Sequence, residues 1–211
     1  MKKRVSIMVV LSLLLTSIFA NTVFASEEGV SPRIDFSVTM RIAVSHSSEA
    51  SSSDLNVGHA FLVFYNDSSQ AVTIGRMSVG AGEYVTIGTY GNRSTHKGIW
   101  YNVEGYTQPA DTISLAYSIS SSQLATINST INANDDYEYV TNNCCHFATR
   151  VWNAIVPSSL DVTGGLPDTL YNSVCSISGY TNYSVPYKPI DSIAYQNGNT
   201  VTYDTSGASR H

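Results

Sequence analysis

The chain has 211 residues, 43% of them hydrophobic and only 13% charged, a balance that supports one globular core and excludes a disordered or fibrous protein. Lys2, Lys3 and Arg4 lie in a leader expected to be removed, which leaves 8 basic residues against 16 acidic ones, a mature charge of −8. That sign disfavours nucleic-acid binding, which needs clustered Lys and Arg, and attachment to anionic membranes or wall polymers.

The first 25 residues read as a secretory signal. Lys2-Lys3-Arg4 precedes an apolar run from Ile7 to Leu15, and Val23-Phe24-Ala25 places small residues three and one before the cut. Cleavage after Ala25 leaves 186 residues. The apolar run is too short for a membrane anchor, no Cys stands at the cut to carry a lipid, and no later segment is long enough to span a bilayer. Residues 26–34 are expected to form a flexible lead-in, 35–205 one domain and 206–211 a frayed tail.

Residues 35 to 44 alternate strictly, with Phe36, Val38, Met40, Ile42 and Val44 on one face of a strand. A polar, Ser-rich loop from Ser45 to Asn56 follows. The run from Val57 to Tyr65 then sets Val57, His59, Phe61 and Val63 on one side and Ala60, Leu62 and Phe64 on the other. Further strands are expected over 71–74, 84–89, 98–103 and 112–119, separated by turn signals, and together they form an antiparallel sheet.

Helices come after the sheet. Ser120 to Ser122 caps one that carries Leu124, Ile127 and Ile131 and stops at Asn134-Asp135-Asp136. A strand-like segment, Tyr137 to Val140, leads to the next. Asn142 or Asn143 caps that helix, which runs to about Val156, with Phe147, Ala148, Val151 and Ile155 as its buried stripe and Cys144 at the stripe's start. A last helix begins at Pro167 and passes Leu170 and Val174 to reach Cys175. Short strands and loops complete the chain.

Asn143-Cys144-Cys145-His146-Phe147 at a helix start is a seat for a nucleophile, because unpaired N–H groups and the positive end of the helix dipole favour a thiolate. The sheet can supply a base from His59. Three consecutive helix residues diverge, so Cys144, Cys145 and His146 do not form a zinc site, and neither metal nor cofactor is expected. Tyr90, Trp100, Tyr101, Tyr137 and Tyr139 offer an aromatic groove or ordinary half-buried strand positions. Cys144 and Cys145 cannot readily bridge each other, so if a bond forms it joins Cys175 to Cys145 or to Cys144 and leaves one thiol over. If Cys144 faces the cleft, Cys145 turns away and pairs with Cys175, closing a loop of about 30 residues worth roughly 3 kcal/mol.

These motifs resemble the papain-like fold in its circularly permuted form, as in the lecithin:retinol acyltransferase group and permuted relatives of NlpC-type cell-wall peptidases. Gly58-His59-Ala60-Phe61-Leu62-Val63 looks like the strand that carries the catalytic His, and Asn143-Cys144-Cys145-His146-Phe147-Ala148 like the helix that carries the nucleophile. The chain is also similar to a group of secreted bacterial proteins of unassigned function that share Gly88-Thr89-Tyr90-Gly91 and His96-Lys97-Gly98-Ile99-Trp100-Tyr101-Asn102. The resemblance covers about residues 35 to 156.

It implies an α+β papain-like domain with Cys144 as nucleophile and His59 as base. The third polar residue has no clear match; His96 is the candidate, with Thr73 or Gln70 as alternatives. The expected protein is a secreted or wall-associated cysteine amidase or peptidase acting on a peptide, a peptidoglycan stem or another acyl substrate. A lipid acyltransferase or thioesterase and a non-catalytic binding protein are the alternatives.

Overall fold

Alternation between Val38 and Val44 builds the strand around which the rest is ordered. The computed structural model describes residues 36–46 and 58–204; the expected leader, lead-in and tail and most of the Ser-rich segment lie outside the described residues. β1 (Val38–Ser45) pairs antiparallel with β2 (His59–Asn66), setting Ser45 opposite His59. On its other side β1 pairs with β7 (Thr112–Ile119), and β7 with the short β8 (Thr181–Asn182). β2 pairs with β5 (Tyr84–Tyr90), which pairs with β6 (Gly98–Tyr101). The hairpin of β9 (Ala194–Asn197) and β10 (Thr200–Tyr203) completes an eight-stranded antiparallel sheet in the order β10-β9-β6-β5-β2-β1-β7-β8. β3 (Val72–Ile74) and β4 (Met77–Val79) form a separate hairpin.

The two faces of the sheet are covered differently. Val38, Met40, Ile42, Val44, Ala60, Leu62 and Phe64 lie in the main core, packed with α2 (Ser121–Asn132), α3 (Cys144–Asn153) and α4 (Pro167–Cys175). Leu124, Ile127 and Ile131 from α2, Phe147, Ala148, Val151 and Trp152 from α3, and Leu170 and Val174 from α4 fill it. Each large side chain so buried contributes about 1.5–3 kcal/mol against leaving it in water. Ala43, Phe61 and Val63 face the other way, onto Val185 and a ring of tyrosines. Trp100, Val103 and Ile193 make a third small cluster on that side.

The caps follow from sequence. Ser120 accepts from the Gln123 N–H while Gln123 reaches back to the Ser120 N–H, a reciprocal pair that starts α2. Pro167 begins α4, where its missing N–H costs nothing. No helix among the described residues is long and apolar enough to cross a membrane.

Three local expectations are corrected. Tyr137 to Val140 is a turn closed by Glu138 and Asn142 backbone bonds, because Glu138 folds its carboxylate back onto the Val140 and Thr141 N–H groups. The strand expected over 98–103 stops at Tyr101, where Asn102 takes a left-handed conformation (φ 63°) and starts the short helix α1 (Val103–Thr107). Cys144, Cys145 and Cys175 are all free thiols, so no Cys145–Cys175 bridge closes the expected loop; Cys145 fills the core as a small apolar side chain instead.

Candidate active site

Asn143 decides what the start of α3 can offer. Its Oδ1 accepts from the Cys145 and His146 N–H groups at 3.0 and 3.1 Å, and its amide donates to the Tyr139 and Gly165 carbonyls. The Phe147 N–H goes to the Asn143 carbonyl. Among the described residues the Cys144 N–H alone in this first turn has no acceptor.

His59 opens β2, with its own N–H held by Ser45 Oγ at 2.9 Å. Its ring lies 4.7 Å from Tyr90 and stacks on Phe61 at 5.8 Å, centroid to centroid. Alternation puts His59 on the face opposite the one that receives α3, yet as the first residue of its strand it reaches the Cys144 thiol at the helix end and hydrogen-bonds it. His59 Nε2 lies 3.0 Å from Glu104 Oε1, which leaves Nδ1 for the sulfur.

Glu104 projects from α1 and is wholly buried. Tyr90 donates its hydroxyl to Oε1 at 2.8 Å and Thr86 donates to Oε2 at 2.6 Å. Gly88 makes room for this arrangement: a Cβ there would stand 2.1 Å from Glu104 Oε1 and 2.8 Å from His59 Nε2. Arg93 lies over the Tyr90 ring at 4.6 Å and the Trp100 ring at 5.4 Å, bracing the tyrosine from behind.

These contacts set the charges. The Cys145 S–H donates to Cys144, and against the opposing effect of burial this bond, His59 and the Ala60 N–H hold the Cys144 thiol well below its ordinary value of 9. The Cys145 thiol is pushed up by the same bond and by burial. Burial works against a charged His59, but the Cys144 thiolate and the Glu104 carboxylate outweigh it and raise the ring to about 10. Burial likewise opposes ionised Glu104, and the bonds from His59 and Thr86 overcome it, so its pKa falls. All three shifts run in the direction that favours a thiolate–imidazolium pair backed by an ionised carboxylate.

The pair opens into a cavity of about 620 Å³ lined by Gly58, Thr89, Tyr90, Tyr137, Tyr139 and Lys97 among others. The aromatic groove is thus made by three of the five expected rings; Trp100 and Tyr101 are buried in the sheet. Gly91 permits Tyr137 to lie over β5, since a Cβ there would meet that ring at 2.2 Å.

Cys144 and His59 come together as expected, and His96 does not join them. Its Nε2 lies 3.3 Å from Asp135 and its ring stacks on Tyr195 at 5.1 Å. Thr73 and Gln70 are exposed, and neither contacts the His59 ring. His146 Nδ1 lies 2.9 Å from Asn143 Oδ1, and the ring lies beside Gly165. Glu104 was hidden from sequence reasoning because the strand expected there ran on through Val103; the signal was Asn102, a residue that tolerates the left-handed conformation and so turns the chain. Family models, curated proteins and solved structures were compared with the chain, and none matches it.

Proposed function

We propose that the chain is an exported cysteine hydrolase of circularly permuted papain-like type, cleaving an amide or ester in a peptide such as a wall-peptide stem, with Cys144 as nucleophile, His59 as base and Glu104 as its orienting carboxylate. The observation that carries this reading is the single imidazole hydrogen-bonded on one side to a thiol and on the other to a buried carboxylate, at the mouth of a cavity. The order His, carboxylate, Cys along the chain fits the permuted arrangement, and an antiparallel sheet backed by a Cys-bearing helix fits the fold. The Lys2–Ala25 leader carries the export part of the proposal.

His59 takes the Cys144 proton before substrate arrives, so the resting nucleophile is the thiolate. The sulfur bonds to the carbonyl carbon and the π pair moves to oxygen. Collapse re-forms the carbonyl and expels the amine or alcohol, which takes its proton from His59. Water, deprotonated by the now neutral His59, attacks the thioester and releases the acid, returning the thiol proton to the pair. Glu104 keeps Nε2 protonated and Nδ1 towards sulfur throughout.

Iodoacetamide labelling tests the reading at its root. Cys144 is expected to alkylate much faster than glutathione at pH 6, where a free thiol is almost wholly protonated. Wall-stem peptides and activated esters are expected to be cleaved by the native chain and spared by Cys144→Ala. Labelling of Cys144 no faster than glutathione removes the hydrolase.

A further inference from the structure

Thr89 is 2% exposed and lines the cavity that Cys144 opens into, yet among the described residues its hydroxyl has no hydrogen-bond partner. A buried hydroxyl left unpaired loses its hydration with nothing in return, which points to a group that arrives with a ligand.

Alternation along β5 fixes the face on which this side chain lies. Thr86 and Tyr90 turn to the face that holds Glu104, whereas Val85 and Ile87 enter the main core under the helices. Thr89 has the parity of Val85 and Ile87, so it lies on the face that receives α3. The register places Leu62 opposite Ile87. Continued two residues it sets Thr89 across from Ala60, and one further it sets Tyr90 across from His59, in keeping with the 4.7 Å between their rings. The Ala60 N–H donates to the Cys144 sulfur. Thr89 therefore stands one strand away from the backbone that touches the nucleophile.

The first turn of α3 supplies a companion donor. Asn143 consumes the Cys145 and His146 N–H groups, and among the described residues the Cys144 N–H has no acceptor. An acyl-transfer centre needs donors aimed at the oxygen that gains charge, and two are usual.

We propose that the Thr89 hydroxyl and the Cys144 N–H form the oxyanion hole of this site, Thr89 being a catalytic donor to the tetrahedral oxygen. The proposal rests on the acyl-transfer reading above. When the thiolate bonds to the carbonyl carbon, the displaced π pair becomes an alkoxide held by both donors. When the pair returns, the C–O or C–N bond to the leaving group breaks and both donors release the re-formed carbonyl.

Two small reagents separate this proposal from the reading it rests on. p-Nitrophenyl acetate acylates Cys144 through a tetrahedral oxyanion and releases p-nitrophenolate; iodoacetamide alkylates the same sulfur by direct displacement of iodide, with no oxyanion. Thr89→Val keeps the shape and removes the hydroxyl. It is expected to lose about 10²-fold in acylation rate, to keep the native alkylation rate and to melt no lower than the native chain. Thr89→Ser is expected to recover most of the acylation. Native acylation by Thr89→Val overturns the oxyanion role while leaving the hydrolase standing. Equal loss of acylation and alkylation also overturns it, because the hydroxyl then supports the thiolate. If the native Cys144 alkylates no faster than glutathione, the underlying reading falls and takes the proposal with it.

Discussion

Of the three histidine–carboxylate pairs among the described residues, the two within hydrogen-bond distance are His59 with Glu104 at 3.0 Å and His96 with Asp135 at 3.3 Å, and only one has the makings of a catalytic centre. Glu104 is wholly buried yet ionises more readily than usual, because Thr86 and His59 donate to it from different sides. Asp135 is shifted the other way, since burial outweighs His96 and the Gly198 N–H. His59 also faces a thiol, whereas His96 stacks on Tyr195 and helps Asp135 tie the β9–β10 hairpin to the sheet. A histidine and a carboxylate in contact therefore identify nothing by themselves. What distinguishes the first pair is a full set of donors on the carboxylate and a nucleophile on the far side of the ring.

The widest separation between the pairs is expected from removing each ring. His59→Ala is expected to lower acylation of Cys144 by about 10²–10⁴-fold, the usual worth of a positioned base. His96→Ala is expected to leave acylation near the native rate and to lower the melting temperature, measured by calorimetry. Comparable loss in the two variants breaks the distinction.

The glycines beside the two pairs sharpen it. Gly88 and Gly98 each lie against one pair, but a Cβ at Gly88 meets Glu104 and His59, whereas at Gly98 it meets His96 Nε2 at 2.9 Å and the Asp135 carbonyl at 3.2 Å. Gly88→Ala must push the carboxylate off the ring, and misplacement of about 1 Å costs ~10²-fold in rate. Gly98 has φ 136°, where an L side chain is strained, so Gly98→Ala is expected to cost stability of ~1–3 kcal/mol with little change in acylation. Urea titration and p-nitrophenolate release, read on both variants, give the two axes.

The shifts also predict a pH profile. The Cys144 thiol sits well below 9 and His59 near 10, so the reactive ion pair persists between the two apparent values, which belong to the pair as a unit. Acylation is expected to rise at a pH well under that of a free thiol and to fall as the imidazolium deprotonates towards pH 10. Glu104→Gln removes two of the influences that raise His59, so the alkaline limb moves down, about tenfold in proton affinity for each 1.4 kcal/mol lost. Asp135→Asn leaves both limbs in place. An unmoved alkaline limb in Glu104→Gln contradicts the role given to the carboxylate.

Much of this was legible because it depends on local periodicity. Two-residue alternation set Ala60, Leu62 and Phe64 against Phe61 and Val63, and the helical stripe from Phe147 to Val151 placed Cys144 at a helix start. Glu104 was not legible, since its role comes from a single backbone reversal at Asn102 that brings α1 back over β5. The Gly88-Thr89-Tyr90-Gly91 segment was visible as a motif while its physical reasons were not. Gly88 clears space for the pair, Tyr90 bonds the carboxylate and Gly91 admits Tyr137, and all three depend on contacts distant in sequence.

The smallest expected effect concerns the cysteines, where periodicity misled. A helical rotation of ~100° per residue separates Cys145 from Cys144 and made a bridge to Cys175 attractive, but all three thiols are free and Cys145 instead donates its S–H to Cys144. Cys175 is only partly buried at the end of α4, so Cys175→Ser is expected to change stability by no more than ~0.5 kcal/mol, against the roughly 3 kcal/mol that a bridge closing this loop contributes. Cys145→Ala, by contrast, removes one of the three donors to the Cys144 thiolate and leaves His59 and the Ala60 N–H in place, so the acid limb of iodoacetamide labelling is expected to move to higher pH. Melting curves with and without reductant separate the cases: coincident curves fit three free thiols, and a drop of several degrees on reduction restores the bridge and removes Cys145 as the thiolate's donor.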